Sequence, residues 1–268
     1  MSTQLSSIDQ ANLEDTFRIR FEKNQEDQAV AISDLLDENH LYSYLNQINE
    51  FLQADQMMVV GSQLIKRLTN LLLVPQLYSL AVYNKQLDLF EGSSIVTAMK
   101  NKKWMPILKV GGHRAIQVKN RSERNAYLEE NIHQISQFVK VIHQVAKVPT
   151  PLLWENVAVY VYKLYESKVK ETGLNLYEQK EAWNDFAYLL QLDPEIFQER
   201  FNFNPLQRFY TNKIEVEGKE LPVRVRRTCC FNYETSAGKY CKGCPKSDVN
   251  KEACLRTKRH VMEVEMIH

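Results

Sequence analysis

The chain has 268 residues, of which 44% are hydrophobic and 25% are charged, and its formal net charge is +1. These values are typical of a soluble globular protein with one large or two modest domains. The first 17 residues lack the apolar segment of a secretory signal peptide, and the longest apolar runs are too short to span a bilayer. We therefore expect a cytoplasmic protein with no membrane span, in which cysteines stay reduced.

The first two-thirds of the chain predict mainly helices. Helical spacing of apolar residues predicts one helix that Ser33 caps and that runs to Phe51, and a second from about Gln56 to Asn70 that breaks near Pro75. A longer helix follows Ser122, which we interpret as its cap. Its apolar positions step along one face by four and three residues in turn: Leu128, Ile132, Ile135, Val139 and Ile142.

Two segments predict β-hairpins. Residues 105–118 have extended patterns on both sides of Gly111 and Gly112, and residues 213–226 have them on both sides of Gly218. The second hairpin leads directly into Cys229. A helix is expected from about Asp248 to Val261.

Four of the five cysteines lie within sixteen residues, as Cys229, Cys230, Cys241 and Cys244 in the spacing C-C-x10-C-x2-C. Four thiols so close in sequence can meet at one soft metal centre with little loss of loop entropy. Lys242 and Gly243 supply the turn of the Cys-x2-Cys pair, and Gly243 is free to adopt a left-handed conformation there. Because Cys229 and Cys230 are adjacent, both can bind one centre only if the backbone bends between them or the centre holds more than one ion.

The spacing by itself leaves the identity of the metal open. Zinc is the commoner partner of four reduced cysteines, but zinc ribbons usually use two Cys-x2-Cys pairs, and this chain has one. The familiar iron–sulfur spacings also differ from this one. A segment that binds no metal is the third alternative.

Positive charge is concentrated around the thiols. Residues 219–259 contain eleven Lys and Arg against four Asp and Glu, a balance of +7, whereas the rest of the chain has a balance of −6. This distribution indicates either an anionic partner or substrate, or compensation of the negative charge of a thiolate-bound metal. The sequence leaves both interpretations open.

Two runs around the cysteines resemble the C-terminal signature of the FhuF-like ferric-siderophore reductases: residues 226–233 (RRTCCFNY) and residues 239–245 (KYCKGCP). The double cysteine, ten residues and Cys-x2-Cys make a short but specific signature. Residues 152–158 (LLWENVA) resemble a segment that the family shares loosely with siderophore synthetases. The 24 residues after Cys244, which include Cys254, have no counterpart in the signature.

The resemblance implies a [2Fe–2S] cluster bound by Cys229, Cys230, Cys241 and Cys244. It also implies one-electron reduction of a hydroxamate-type ferric siderophore in the cytoplasm, with release of Fe(II). With the patterns above, we predict an α+β fold: a predominantly helical body with short β-hairpins and a C-terminal iron–sulfur loop segment. Residues 1–205 would form the siderophore-binding body, and residues 206–268 would bind the cluster.

The chain has no glycine-rich nucleotide motif, so we expect electrons from an external ferredoxin or flavoprotein. We expect Cys254 to have no role, because four ligands satisfy a cluster. Two alternatives stay open: a zinc-stabilised, basic nucleic-acid-binding module, and a siderophore-binding protein whose cluster is only structural. Six side chains near the cysteines are candidates for substrate binding: Arg226, Arg227, Tyr233, Lys239, Tyr240 and Lys242.

Overall fold

Helices form most of the protein, and the predicted α+β, mainly helical fold class is confirmed. The computed structural model describes residues 5–21, 29–100, 103–111, 115–197, 201–236 and 238–265. The α-helices are α1 (Ser7–Thr16), α2 (Glu38–Leu52), α3 (Met57–Leu68), α4 (Val74–Tyr83), α5 (Arg121–Ala146), α6 (Thr150–Lys163), α7 (Leu176–Gln191), α8 (Pro205–Arg208) and α9 (Asp248–Glu265). The strands are β1 (Ile19–Arg20), β2 (Ala29–Ala31), β3 (Lys85–Leu87), β4 (Ser93–Val96), β5 (Met99–Lys100), β6 (Lys103–Trp104), β7 (Ile107–Val110) and β8 (Ala115–Gln117).

α3 and α4 form one continuous helix through Pro75. Residues Thr69–Leu73 between them form a π-helical turn, in which the N–H of Val74 donates to the carbonyl oxygen of Thr69. A widened turn accommodates the proline ring, which has no N–H to donate. The predicted break near Pro75 is therefore wrong, because the helix continues to Tyr83.

This long helix lies in the core. Among the described residues, Met57–Tyr83 is the one helical stretch long and apolar enough to cross a membrane, and 78% of its most apolar window is buried inside the protein. α2, α5 and α6 pack against α3. The burial is that of a core helix in a soluble protein.

Two helices begin at other caps than the sequence predicts. α2 follows Asp37, whose carboxylate accepts two backbone N–H groups of the first turn, whereas Ser33 begins a separate 3-10 turn. α5 follows Asn120 and not Ser122. Asp and Asn are among the residues that cap helices most strongly, and Asp37 and Asn120 cap these two helices. The five apolar positions predicted for one face of α5 are all buried.

The predicted hairpin at 105–118 is wrong. β7 pairs with β1 and β4 in a sheet of order β1-β7-β4-β2, whereas β8 pairs with β3 in a separate two-stranded sheet. Both segments are extended as predicted, but their partners come from elsewhere in the chain. The turn residues 112–114 lie outside the described residues.

The predicted hairpin at 213–226 is reduced to one bridge. Ile214 and Val223 exchange two backbone hydrogen bonds of 2.9 and 2.8 Å, and Gly218 in the turn has a φ of +73°. Val216 and Val223 pack with Ala253 of α9 in a small apolar cluster separate from the main core. The chain thus enters the cysteine segment from a short paired stretch that rests on α9.

Candidate metal centre

The backbone turns immediately after the double cysteine. Phe231 adopts a left-handed conformation with a φ of +56°, and its N–H points at Sγ of Cys229 at 3.4 Å. Cys230 is buried, whereas Cys229 is partly accessible. Two adjacent cysteines can bind one centre only if the backbone bends near them. Here the bend is at Phe231, after the pair, and not between Cys229 and Cys230.

Backbone contacts hold the Cys-x2-Cys turn. The N–H of Cys244 donates to the carbonyl of Cys241 at 3.0 Å, and the N–H of Arg226 donates to the carbonyl of Gly243 at 2.9 Å. Gly243 does not use the left-handed conformation that is open to glycine. A Cβ at Gly243 would lie 2.5 Å from the carbonyl oxygen of Arg224. Glycine is required here because two backbone segments touch.

Thiols from the two halves of the motif meet. Sγ of Cys230 lies 3.7 Å from Sγ of Cys241, close to the ~3.8 Å between two thiolates on a tetrahedral ion with metal–sulfur bonds of ~2.3 Å. Both Cys229 and Cys241 experience the charges of Cys230 and Cys244. Among the described residues, however, no group of three or more His, Cys, Asp or Glu is positioned around a single ion.

Cys230 lies in a positive environment that favours the thiolate. The hydrogen bond from Cys241 lowers the pKa of Cys230 most; burial opposes this effect, and the charges of Lys66 and Arg226 reinforce it. Conversely, this hydrogen bond and burial raise the pKa of Cys241. Because the thiolate is the metal-binding form, the surroundings of Cys230 favour ligation.

Buried polar side chains attach Cys230 to the helical body. Ser62 Oγ and Gln63 Nε2 of α3 donate to the carbonyl oxygen of Cys230 at 3.0 and 2.6 Å. Asn156 Nδ2 of α6 donates to Ser62 Oγ at 3.0 Å. Lys66 Nζ contacts both Gln63 Oε1 at 3.1 Å and Cys230 Sγ at 3.7 Å. These residues were not predicted from the sequence. The signal for Ser62, Gln63 and Lys66 was polar side chains within the apolar run of α3.

Glu155 of α6 holds the chain just before the double cysteine. Its carboxylate accepts the N–H groups of Arg227 and Thr228, both at 2.7 Å, and the Thr228 hydroxyl. The same carboxylate lies 3.6 Å from Nε of Arg226. Glu155 is 2% exposed and belongs to the run 152–158. The structure thus shows a contact between that run and the cysteine segment.

The predicted basic candidates near the double cysteine differ in exposure. Arg226 is buried against Glu155, whereas Arg227 and Lys242 are exposed. Buried Arg226 can act on the charge of the thiols, as the pKa of Cys230 shows.

The remaining candidates lie on the loop between the two halves of the motif. The rings of Tyr233 and Tyr240 are 5.2 Å apart, and Lys246 Nζ donates to the Tyr233 hydroxyl at 2.7 Å. Lys239 lines a cavity of about 410 Å³ between this loop and α3. Of the six predicted residues, Lys239 is the one that lines this cavity.

Cys254 lies on α9, in the segment predicted to be helical. It is partly exposed. It is not among the main influences on the pKa of Cys229, Cys230 or Cys241.

A scan against protein-family models found no matching family, and a search of the curated proteins found no similar protein. The likeness to the FhuF-like reductases rests on the short runs described above.

Proposed function

We propose that the chain is a cytosolic ferric-siderophore reductase with a [2Fe–2S] cluster bound by Cys229, Cys230, Cys241 and Cys244. The observation that carries this proposal is the 3.7 Å contact between Cys230 and Cys241, from opposite halves of the motif. When bound, the cluster supplies a one-electron redox couple.

Four thiols are the donor set that a [2Fe–2S] cluster takes. Cys230 and Cys241 would hold the cluster from opposite halves of the motif, because their sulfurs already have the separation of two thiolates on one tetrahedral ion. Cys229 and Cys244 would supply the other two thiolates.

The chemistry at the substrate follows from its donor atoms. Siderophore oxygens are hard donors that bind Fe(III) far more tightly than Fe(II). One electron from an external ferredoxin or flavoprotein reduces the substrate iron, and Fe(II) then leaves the weakened complex. The chain's own residues shield Cys230 and Cys244, which are both 2% exposed, and keep Lys66 beside Cys230.

The metal content tests the first half of the proposal. Protein purified without oxygen should contain two irons and two acid-labile sulfides per chain. Serine at any of the four ligand positions should abolish or destabilise this content, whereas Cys254→Ser should retain it. One zinc per chain without sulfide would refute the proposal and favour the zinc-stabilised nucleic-acid-binding module.

Electron transfer tests the second half. Reduced protein mixed anaerobically with a ferric siderophore and an Fe(II) chelator should be reoxidised while the Fe(II) chelate forms in equal amount. Reoxidation no faster with substrate than with buffer would contradict the reductase and support a siderophore-binding protein with a structural cluster.

A further inference from the structure

The charged side chains that line the cavity beside the thiols are all positive. Among the described residues, five cations and no carboxylate line it: Arg18, Lys66, Arg67, Lys103 and Lys239. None of the five forms an ion pair with an Asp or Glu in the described part of the chain. A concave surface whose positive charge is not compensated attracts anions.

Two other cavities in the structure are mixed in charge. A cavity of about 500 Å³ beside α9 has Lys213 and Arg256 together with three glutamates. A cavity of about 640 Å³ near the start of α5 has Arg121 and Arg124 together with Glu178 and Glu181. Uncompensated charge therefore distinguishes the cavity beside the thiols from these two.

Arg18 lines this cavity, and its guanidinium has no compensating anion in the described part of the chain. Its Nη1 atom is buried with no hydrogen-bond partner in the described part of the chain. Burial and the nearby charge of Arg67 both lower the pKa of Arg18. Arg18 as a whole is partly buried, but a buried guanidinium nitrogen without a partner is costly unless an anion compensates it.

The cavity is also joined directly to the thiol site. Lys66 lines it and contacts Cys230 Sγ at 3.7 Å, and Gln63 lines it and donates to the Cys230 carbonyl. Arg67 and Trp104 also line it, and the guanidinium of Arg67 lies 5.8 Å from the ring centroid of Trp104. A ligand here would be one side chain away from Cys230, and the volume of about 410 Å³ is within the usual range for small-molecule sites.

We propose that this cavity binds the substrate as a negatively charged ferric complex, with carboxylate or catecholate oxygens facing the five cations. The identity of the ligand as a substrate rests on the proposed function, whereas the preference for negative charge rests on the cavity. A neutral trihydroxamate complex would leave these cations uncompensated. The cavity thus favours anionic complexes over the simple hydroxamate type that the family resemblance implies.

Gallium(III) complexes test the binding separately from the chemistry, because Ga(III) has the charge of Fe(III) but is not reduced. Titration calorimetry on the intact, anaerobically purified protein would compare three probes: an anionic tris-catecholate complex, an anionic citrate complex and a neutral trihydroxamate complex. We expect at least one anionic complex to bind roughly tenfold or more tightly than the neutral one, and its affinity to fall with added salt. The two anionic probes distinguish catecholate from carboxylate recognition.

Exposed cations of the cavity provide variants that should fold normally. Lys103→Gln and Lys239→Gln should each weaken binding of the preferred anionic complex by about fivefold and leave binding of the neutral complex unchanged. Arg256→Gln is the matched control, because it removes a cation from the cavity beside α9. It should change the affinity for neither the anionic nor the neutral complex. Equal affinity for neutral and anionic complexes, or equal losses in all three variants, would overturn the inference.

The outcome is independent of the reductase assignment. If the anionic gallium complex binds as expected and the corresponding ferric complex is not reduced, the reductase proposal fails and the anion site stands. If a ferric trihydroxamate is reduced while its gallium analogue binds as tightly as the anionic complexes, the anion site fails and the reductase stands.

Discussion

Cys230 connects the thiol site to the helical body. Its sulfur contacts Cys241 and Lys66, and its carbonyl accepts hydrogen bonds from Ser62 and Gln63. Lys66 is 9% exposed. A buried positive charge next to a ligand sulfur stabilises the reduced, more electron-rich state of a redox centre.

If the four cysteines bind the proposed [2Fe–2S] cluster, Lys66→Met should lower its reduction potential. We expect a decrease of roughly 60 mV, equivalent to a tenfold change in a one-electron equilibrium, in a spectroscopic redox titration. Arg227→Gln is the control: Arg227 is adjacent in sequence to the cysteine segment but exposed, so water screens its charge. A larger shift in the control than in Lys66→Met would show that exposed charges set the potential.

Two close contacts hold the chain around the cysteines in position. At Gly243 the turn touches the backbone of Arg224. At Glu155, helix α6 receives the N–H groups of Arg227 and Thr228. Both contacts hold the stretch before Cys229 against another element.

Gly243→Ala should disturb the Cys-x2-Cys turn. The added Cβ would lie 2.5 Å from the carbonyl oxygen of Arg224, so the turn must shift, at a cost of about 1–3 kcal/mol in unfolding free energy. We expect a lower melting temperature and faster loss of bound metal on exposure to a chelator. Lys242→Ala alters the neighbouring exposed residue and should leave both measurements near those of the parent protein.

Glu155→Ala should lower the free energy of unfolding more than Gly243→Ala does. It removes the acceptor of two backbone N–H groups and leaves the buried Arg226 without its carboxylate. Loss of one partner from a buried pair costs about 3–5 kcal/mol, measurable by chemical denaturation. The comparison is Glu217→Ala, which removes one side of an exposed pair with Arg256 and should cost about 1 kcal/mol or less. Similar losses in both variants would mean that Glu155 does not support the cysteine segment.

For the molecule as a whole, Arg224 connects the C-terminal segment to the body. Its guanidinium bonds both carboxylate oxygens of Glu166, at 3.1 and 2.7 Å, and lies over the rings of Tyr162 and Tyr210. Lys213 Nζ contacts Glu166 at 2.8 Å. Burial raises the pKa of Glu166, but hydrogen bonds from Arg224, Lys213 and Tyr210 outweigh that effect and lower it to about 2.

This connection should make stability depend on pH. Because the pKa of Glu166 falls from 4.5 to about 2 on folding, its contribution is present above pH 4.5 and is lost as the pH falls towards 2. Glu166→Gln should therefore flatten the decrease in unfolding free energy over this interval, compared with the parent protein. In an Arg224→Gln background the same substitution should have a smaller effect. An unchanged slope in Glu166→Gln would show that the contact contributes nothing.

Local patterns predicted much of the fold. The apolar face of α5 was correctly predicted from the spacing of its apolar residues. The helix expected from about Asp248 to Val261 is present as α9 and runs to Glu265. Helix starts were less accurate, because competing caps such as Asp37 and Asn120 lie close to the predicted ones. The hairpin at 105–118 was wrong because extended character is local, whereas the choice of partner strand depends on distant segments.

The sequence by itself determined the mainly helical fold class and singled out the four cysteines, because helical periodicity and motif spacing are properties of nearby residues. Only the tertiary structure decided what surrounds those cysteines. Ser62 and Gln63 reach Cys230 from more than 160 positions away along the chain, and Arg18 meets Lys239 in one cavity. Such contacts form when distant segments bury their apolar surfaces together. No local sequence pattern specifies which polar groups then come within hydrogen-bonding distance of one another.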